Sequence, residues 1–180
     1  KQKTAYEMQR SLVGEEMCIR DRYCVVGKDE NGGYRVIKTA LVTEALEAEG
    51  TTVKVNKSHL FAVGDFVTVG GDLKSVSDKI TAIDKSNAEY DIITLEAKIG
   101  AAKVGQVLVG VKEKTTAGKA ALVTSSSELV ITLSKVDLTV ANQSCGLMVR
   151  GTVSEGNMPF PIDAGLKALM PLIRFVNKQL

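Results

Sequence analysis

The sequence predicts a mainly β protein. Val, Ile and Thr supply 46 of the 180 residues, and these β-branched side chains favour extended strands. Short segments of alternating apolar and polar residues recur between residues 34 and 111, with turn-forming residues between them, and only one segment has helical periodicity. We therefore expect a small β-barrel inserted into a β-rich base domain that has one short C-terminal helix.

The first predicted strand is residues 34–42 (YRVIKTALV), which follows the turn-rich cluster at residues 27–33 (GKDENGG). Residues 44–50 (EALEAEG) are too short to hold a helix alone, so they are predicted to be a connection. Five strands are then predicted within about 60 residues, a spacing typical of a small barrel. Their predicted bounds are 52–56, 65–69, 79–84, 90–95 and 106–111.

Residues 112–127 are rich in Lys, Thr, Ala and Ser and are predicted to be mostly a linker, with a short strand at 121–123. Further strands are predicted at 128–133, 135–139 and 146–153. In the last of these, alternation places Leu147, Val149 and Val153 on one face.

The C-terminal helix is predicted from its capping and stop signals. Asp163 is a plausible N-cap, and Leu166, Leu169 and Met170 form an apolar stripe at helical spacing. Pro171 ends the helix, and a final strand follows at residues 172–176. Because Gly165 weakens so short a helix, its stability must depend on tertiary or intersubunit packing.

These elements suggest a domain organisation. Residues 23–49 and 112–180 are predicted to form the base domain, and residues 50–111 the inserted barrel. Residues 1–22 lack periodicity and end in EEMCIRDR, which resembles a peptide translated from sequencing-adapter DNA. We interpret them as a non-native or disordered arm.

Composition argues against several functional classes. With one His and three Cys that form no C-x-x-C pair, the sequence supports no metal site, no cofactor site and no catalytic residue. A net charge of +2 with both signs scattered argues against a dedicated nucleic-acid binder. No run approaches the roughly 18 apolar residues that span a bilayer, so a membrane partner is not expected either.

The sequence signals for individual catalytic or metal-binding sites are incomplete. His59 has no second His as a partner and is expected to be structural or exposed. The segment 84–89 (DKSNAE) lacks the sixth-position Gly of a calcium loop, and Ser125 and the two serines after it lack a nucleophile elbow. An enzyme would have to use Asp84 or Asp91.

Three stretches resemble the head-fibre proteins of tailed bacteriophages, particularly phages of gut bacteria. They are residues 33–42 (GYRVIKTALV), residues 58–97 (beginning SHLFAVGDFVTVGG and ending ITAIDKSNAEYDIITLEA) and residues 147–176 (LMVRGTV, then MPFPIDAGLKALMPLIRFV). The resemblance implies a structural virion protein on the capsid exterior, made in the bacterial host cytoplasm. It also implies a homotrimer bound to the major capsid protein, without enzymatic activity, with the base domain (residues 23–49 and 112–180) as the capsid-attachment domain.

Such a protein needs apolar surface for its symmetry mates or for the capsid. We expect the C-terminal region to supply this surface, through a set of candidate contact residues. They are Leu166, Leu169, Met170, Leu172, Ile173 and Phe175.

The alternative is a small β-barrel binding module for glycan or nucleic acid. Four Tyr, four Phe and no Trp make a stacking surface less expected. Adhesion to a host-surface glycan remains a second activity that an exposed fibre barrel could have.

Overall fold

The computed structural model describes residues 22–116, 118–125, 129–135 and 144–177. Within them the fold is mainly β, with several antiparallel sheets and one short helix, which confirms the predicted class. The helix α1 is Ala164–Ala168, and a 3-10 turn covers Glu155–Asn157. The strands are β1 Val25–Lys28, β2 Tyr34–Val36, β3 Thr39–Leu41, β4 Thr52–Asn56, β5 Phe66–Val69, β6 Ser77–Asp84, β7 Tyr90–Leu95, β8 Val107–Val111, β9 Val130–Thr132, β10 Leu147–Met148, β11 Gly151–Ser154 and β12 Ile173–Val176.

The chain divides into two compact units. Unit 1 takes its described residues from Lys1–Val36, Thr124–Pro159 and Met170–Leu180, and unit 2 consists of Ile37–Val123 and Phe160–Leu169. Unit 2 therefore holds the segments next to 50–111 as well as a short C-terminal segment that carries α1.

Unit 2 is built on a six-stranded antiparallel sheet in the order β3-β8-β5-β6-β7-β4. The two end strands meet, because Val42, just after β3, forms an antiparallel bridge with Val55 of β4. The amide of Thr43 also donates a 2.9 Å hydrogen bond to the carbonyl of Lys54. The sheet thus closes on itself, and we call it the closed sheet.

The interior of the closed sheet is filled by the alternating apolar residues of its strands. In β7 every second residue is buried, and β4 alternates in the same way. Residues from the loops join this core as well, among them Phe61 and Ile99. The buried cluster consists of Ala40, Val42, Leu46, Val53, Val55, Phe61, Val67, Val69, Ile80, Ile93, Leu95, Ile99, Ala102 and Leu108.

Two successive three-strand segments with equivalent pairing form the closed sheet. The first is β3, β4 and β5, and the second is β6, β7 and β8. β4 pairs with β7 and β5 with β8, while β3 pairs with β8 as β6 pairs with β5. The bridge between Val42 and Val55 has its equivalent in the pairing of Ile80 with Leu95. The closed sheet therefore has an internal two-fold repeat.

The turn before the third strand (AVGD in one segment, KVGQ in the other) repeats as well. Gly64 and Gly105 both have positive φ, 101° and 86°, a conformation that glycine adopts without strain. The Gly64 amide donates to the carbonyl of Ile80, and the Gly105 amide to that of Val42, each at 2.9 Å. Each segment thus hydrogen-bonds the other at the same place.

The same turns are closed by side chains. Asp65 Oδ2 accepts a 2.8 Å hydrogen bond from the amide of Ala62, and Gln106 Oε1 accepts a 2.7 Å one from the amide of Lys103. Asp65 and Gln106 thus accept the same backbone hydrogen bond at equivalent positions. Because the two residue types differ, the repeat is hard to see in the sequence.

Residues after β8 pair with strands of the closed sheet at two places. Leu122 bridges to Val111 of β8, and Thr115 bridges to Ser77 of β6. Thr68 and Val109, which are directly paired, are fully buried although their neighbours along each strand fill the interior. The predicted strand at 121–123 is limited to the bridge at Leu122.

Unit 1 contains a four-stranded antiparallel sheet in the order β10-β9-β1-β2, and a separate parallel pair, β11 and β12. The four-stranded sheet has a small core of Val26, Tyr34 and Val130. Residues 136–140, which include most of the predicted strand 135–139, lie outside the described residues.

Three strand predictions are corrected. The predicted strand 34–42 is two strands, because the chain changes pairing partner at residues 37–38: β2 pairs with β1, and β3 pairs with β8. The predicted strand 146–153 is also two strands, and Val149 between them is 52% exposed rather than facing the core. Strand β1, Val25–Lys28, was not predicted.

Candidate functional site

The six predicted contact residues do not form one exposed surface. Leu166, Met170 and Ile173 are buried within the chain itself, at 0%, 3% and 6% exposure. Leu169 and Phe175 are half-buried, and Leu172 is 57% exposed. An apolar stripe shows that one face of an element is buried, but the same stripe arises whether a chain covers that face itself or a partner does.

The segment Phe160–Leu169 is held to unit 2 by the predicted N-cap residue. One Asp163 carboxylate oxygen accepts a 2.9 Å hydrogen bond from the amide of Leu166, within α1, and the other accepts a 2.6 Å bond from the amide of Gly71. The Thr39 hydroxyl donates a 2.8 Å hydrogen bond to the carbonyl of Pro161. Asp163 thus caps the helix and fastens it to the β5–β6 loop.

The large exposed apolar residues of unit 1 lie next to the ends of its strands. Leu133 follows β9 and is 43% exposed, Val149 follows β10 and is 52% exposed, and Leu172 precedes β12 and is 57% exposed. The parallel pair of β11 and β12 has no third strand among the described residues. Isolated two-stranded sheets are marginal in water, and parallel strands are ordinarily covered on both faces.

A buried polar cluster lies in unit 2 where β4 ends and β7 begins. Asp91, at 1% exposure, takes an inward position on β7, and Lys57 Nζ lies 2.7 Å from its Oδ1. The fully buried imidazole of His59 places Nε2 3.1 Å from Asp91 Oδ2. His59 Nδ1 accepts a 3.2 Å hydrogen bond from the amide of Phe61. These contacts join the β4–β5 loop to β7.

The protonation state of His59 follows from these contacts. Because Nδ1 accepts a hydrogen bond, the neutral imidazole carries its proton on Nε2. This proton faces Asp91 Oδ2, which lies 3.1 Å from Nε2. Burial lowers the pKa of His59, Lys85 and Lys57 lower it further, and Asp91 partly opposes them. His59 is therefore structural, one of the two roles expected for it.

The other candidate residues, among those the structure describes, are not arranged with partners that would make them catalytic. Asp84 Oδ1 accepts a 2.9 Å hydrogen bond from the Ser86 amide in an exposed turn, and this contact lowers the pKa of the Asp84 carboxyl. Cys24 is a buried free thiol and Cys145 a partly exposed one. Among the residues that the structure describes, no group of three His, Cys, Asp or Glu could hold a metal ion. No helix in the same residues is long and apolar enough to cross a membrane.

The sequence interpretation missed the partners of His59. Asp91 stands at an inward position of a strand whose other inward residues are Ile93 and Leu95. A carboxylate at a core position normally has a paired cation. The inward position of Asp91 was therefore the sequence signal for a buried ion pair. The comparison of this chain with protein-family models, curated proteins and solved structures found no match.

Proposed function

We propose that this chain is a structural virion protein, a head-fibre or decoration protein on the outer surface of a tailed-phage capsid, with no enzymatic activity. The observation that carries the proposal is where the resembling stretches lie in the fold. Residues 33–42 supply β2 and β3, and residues 147–176 supply β10, β11, α1 and β12. The resemblance therefore lies in the framework of both units, as expected for a protein that works through packed surfaces.

Oligomerisation, as a homotrimer, is supported by the surface of unit 1. Val149 and Leu172 expose apolar surface beside β10 and β12, whose outer edges have no partner strand among the described residues. Unpaired strand edges favour pairing with another chain. Of the six predicted contact residues, Leu172 is the one that can make most contact with a symmetry mate or the major capsid protein. The buried ones, Leu166, Met170 and Ile173, would act by holding the C-terminal segments in place.

The proposal is tested by solution mass and by binding to capsids. The full chain is expected to sediment as a trimer and to decorate purified phage shells that lack it. Leu172→Asp is expected to weaken trimerisation or decoration, while Val63→Asp, at a position 63% exposed in unit 2, leaves both unchanged. A monomeric chain that binds no shells would refute the proposal.

The alternative proposal is a binding module for glycan or nucleic acid. The exposed outer face of β4 and β7 favours it, because the half-buried Tyr90 ring offers an aromatic surface there. Against it, the ammonium of Lys54 lies over this ring, 5.1 Å from its centroid, where a stacking sugar or base would have to displace it. A glycan-array signal lost in Tyr90→Ala, or salt-dependent oligonucleotide binding, would favour this alternative.

A further inference from the structure

The β4–β5 loop must cross one end of the closed sheet. β4 and β5 are not neighbours in the closed sheet, since β6 and β7 separate them on one side and β3 and β8 on the other. The loop at residues 57–65 therefore passes over the opening, and it buries Phe61 in the core there. The β7–β8 loop crosses the opposite end for the same reason and buries Ile99.

The two ends differ at one buried position. Val55 of β4 corresponds to Leu95 of β7 in the repeat, and four residues further along each segment lie His59 and Ile99. Both are buried, at 8% and 1% exposure. An isoleucine at this position is indifferent to pH, whereas an imidazole titrates near neutral pH. The internal repeat thus places a titratable group under one loop and an inert one under the other.

Protonation of His59 is incompatible with its present hydrogen bond. Nδ1 accepts a 3.2 Å hydrogen bond from the Phe61 amide. A proton on Nδ1 would turn it into a donor that faces the N–H donor of Phe61. Asp91 favours the imidazolium but compensates for its burial only in part, because the other carboxylate oxygen is paired with Lys57 at 2.7 Å. Burial of the whole ring opposes the added charge as well.

Charged groups surround the cluster on each element that contacts it. Asp91 comes from β7 and Lys57 from the loop itself, and Lys57 Nζ also donates to the carbonyl of Lys85 in the β6–β7 loop at 3.0 Å. Asp84 of β6 interacts electrostatically with Lys57. At the far end of the loop, Asp65 pairs with Lys38 at 2.6 Å.

We propose that His59 is an acid-sensitive latch on the β4–β5 loop. The neutral imidazole holds the loop across one end of the closed sheet through Phe61 and Asp91. A proton taken from solvent onto Nδ1 removes the Phe61 hydrogen bond and releases the loop, while the opposite loop stays closed. The latch is a property of unit 2 and does not depend on the proposed function.

Because His59 is the only histidine of the chain, its imidazole signals in NMR are unambiguous. In the full chain we expect its midpoint to lie below that of an exposed histidine. Protection of the Phe61 amide against hydrogen exchange is expected to fall by up to about tenfold per pH unit as His59 becomes protonated. The internal control is the Ala102 amide, which bonds to the Leu46 carbonyl at 3.0 Å in the opposite loop and is expected to keep its protection.

Two variants complete the test. His59→Ile copies the residue of the other end and is expected to abolish the pH dependence of Phe61 protection. Asp91→Asn leaves His59 in place but removes the carboxylate that favours its protonation, so loop release should shift to lower pH. Phe61 protection that stays constant through the His59 titration would overturn the proposal, even if His59→Ile failed to fold. The same loss of protection in His59→Ile would also overturn it.

Discussion

Asp163 and Gly71, which are 92 positions apart in the sequence, are joined by a 2.6 Å hydrogen bond from the Gly71 amide to the Asp163 carboxylate. The same carboxylate caps α1 through the amide of Leu166. A five-residue helix is too short to be stable alone, so this contact gives α1 a support that its own sequence cannot supply.

Asp163→Ala should therefore destabilise unit 2 by about 2 to 4 kcal/mol, since it removes a helix cap and a hydrogen bond to a charged acceptor. Chemical unfolding of the full chain measures this loss. Asp84→Ala, which removes a carboxylate from an exposed turn, is the control and should cost much less. Equal losses in the two variants would contradict the role given to Asp163.

Gly165→Ala should also destabilise the protein, against the usual preference for Ala in helices. A Cβ at residue 165 would overlap the backbone of Gly71 and Asp72, and such overpacking costs about 1 to 3 kcal/mol. Gly146→Ala is the control, because the nearest atom to its added Cβ would be 3.7 Å away. Thermal unfolding of both variants decides the point, and a stabilised Gly165→Ala would show that α1 does not pack so closely.

Asp29 should contribute stability that is lost in acid. Burial alone would raise the pKa of this carboxyl, but the hydrogen bonds from Arg35, Gly33 and Asn31 outweigh it, so the pKa is lowered. An aspartate whose pKa is lower in the folded state stabilises above its unfolded value, about pH 4, and loses this contribution as pH falls through the folded value. Carbon-detected NMR titration of Asp29 measures the shift.

Arg35→Met should raise the pKa of Asp29 and flatten the acid dependence of stability, because the Arg35 guanidinium lies 3.0 Å from the carboxylate. Arg174→Met, at an exposed position of β12, tests whether removal of any positive charge does the same. The role of Arg35 would be contradicted by an unchanged Asp29 titration in Arg35→Met.

The two repeated turns should respond differently to the loss of their closing side chains. Gln106→Ala removes one hydrogen bond, to the Lys103 amide, and should cost about 1 kcal/mol. Asp65→Ala removes the equivalent hydrogen bond and also the ion pair with Lys38. Both side chains of this ion pair are about one quarter exposed. This pair adds up to about 1 kcal/mol. In a Lys38→Met background the cost of Asp65→Ala should fall toward that of Gln106→Ala, as a double-mutant cycle will show, and the remaining difference reflects the charged acceptor of Asp65.

Strand prediction succeeded where pairing partners stay constant along a segment. Residues 52–56 alternate in polarity and coincide with β4, and residues 90–95, which follow a hairpin loop, coincide with β7. Residues 34–42 have an equally good strand pattern, yet the chain leaves one sheet after Val36 and joins another at Thr39. Local residue preferences specify an extended backbone, but not the strand beside which it lies.

In the candidate site too, local sequence features could be predicted, but their contacts with distant parts of the chain could not. Asp163 was correctly identified as the N-cap. Of the predicted apolar stripe, Leu166 and Met170 are buried and Leu169 is half-buried, but the helix ends at Ala168 and contains only Leu166. The packing of this helix against Gly71 could not be inferred, because no sequence feature near residue 163 indicates which distant segment it contacts.

By itself, the sequence determined that the protein is mainly β, most of its strand positions and the one helix with its cap, because these depend on periodicity and local hydrogen bonding. The tertiary structure decided the closure of the sheet, its internal repeat, the burial of His59 against Asp91 and which apolar residues remain exposed. These features depend on contacts between distant parts of the chain, and the free energy of such contacts is set by packing that no local pattern encodes.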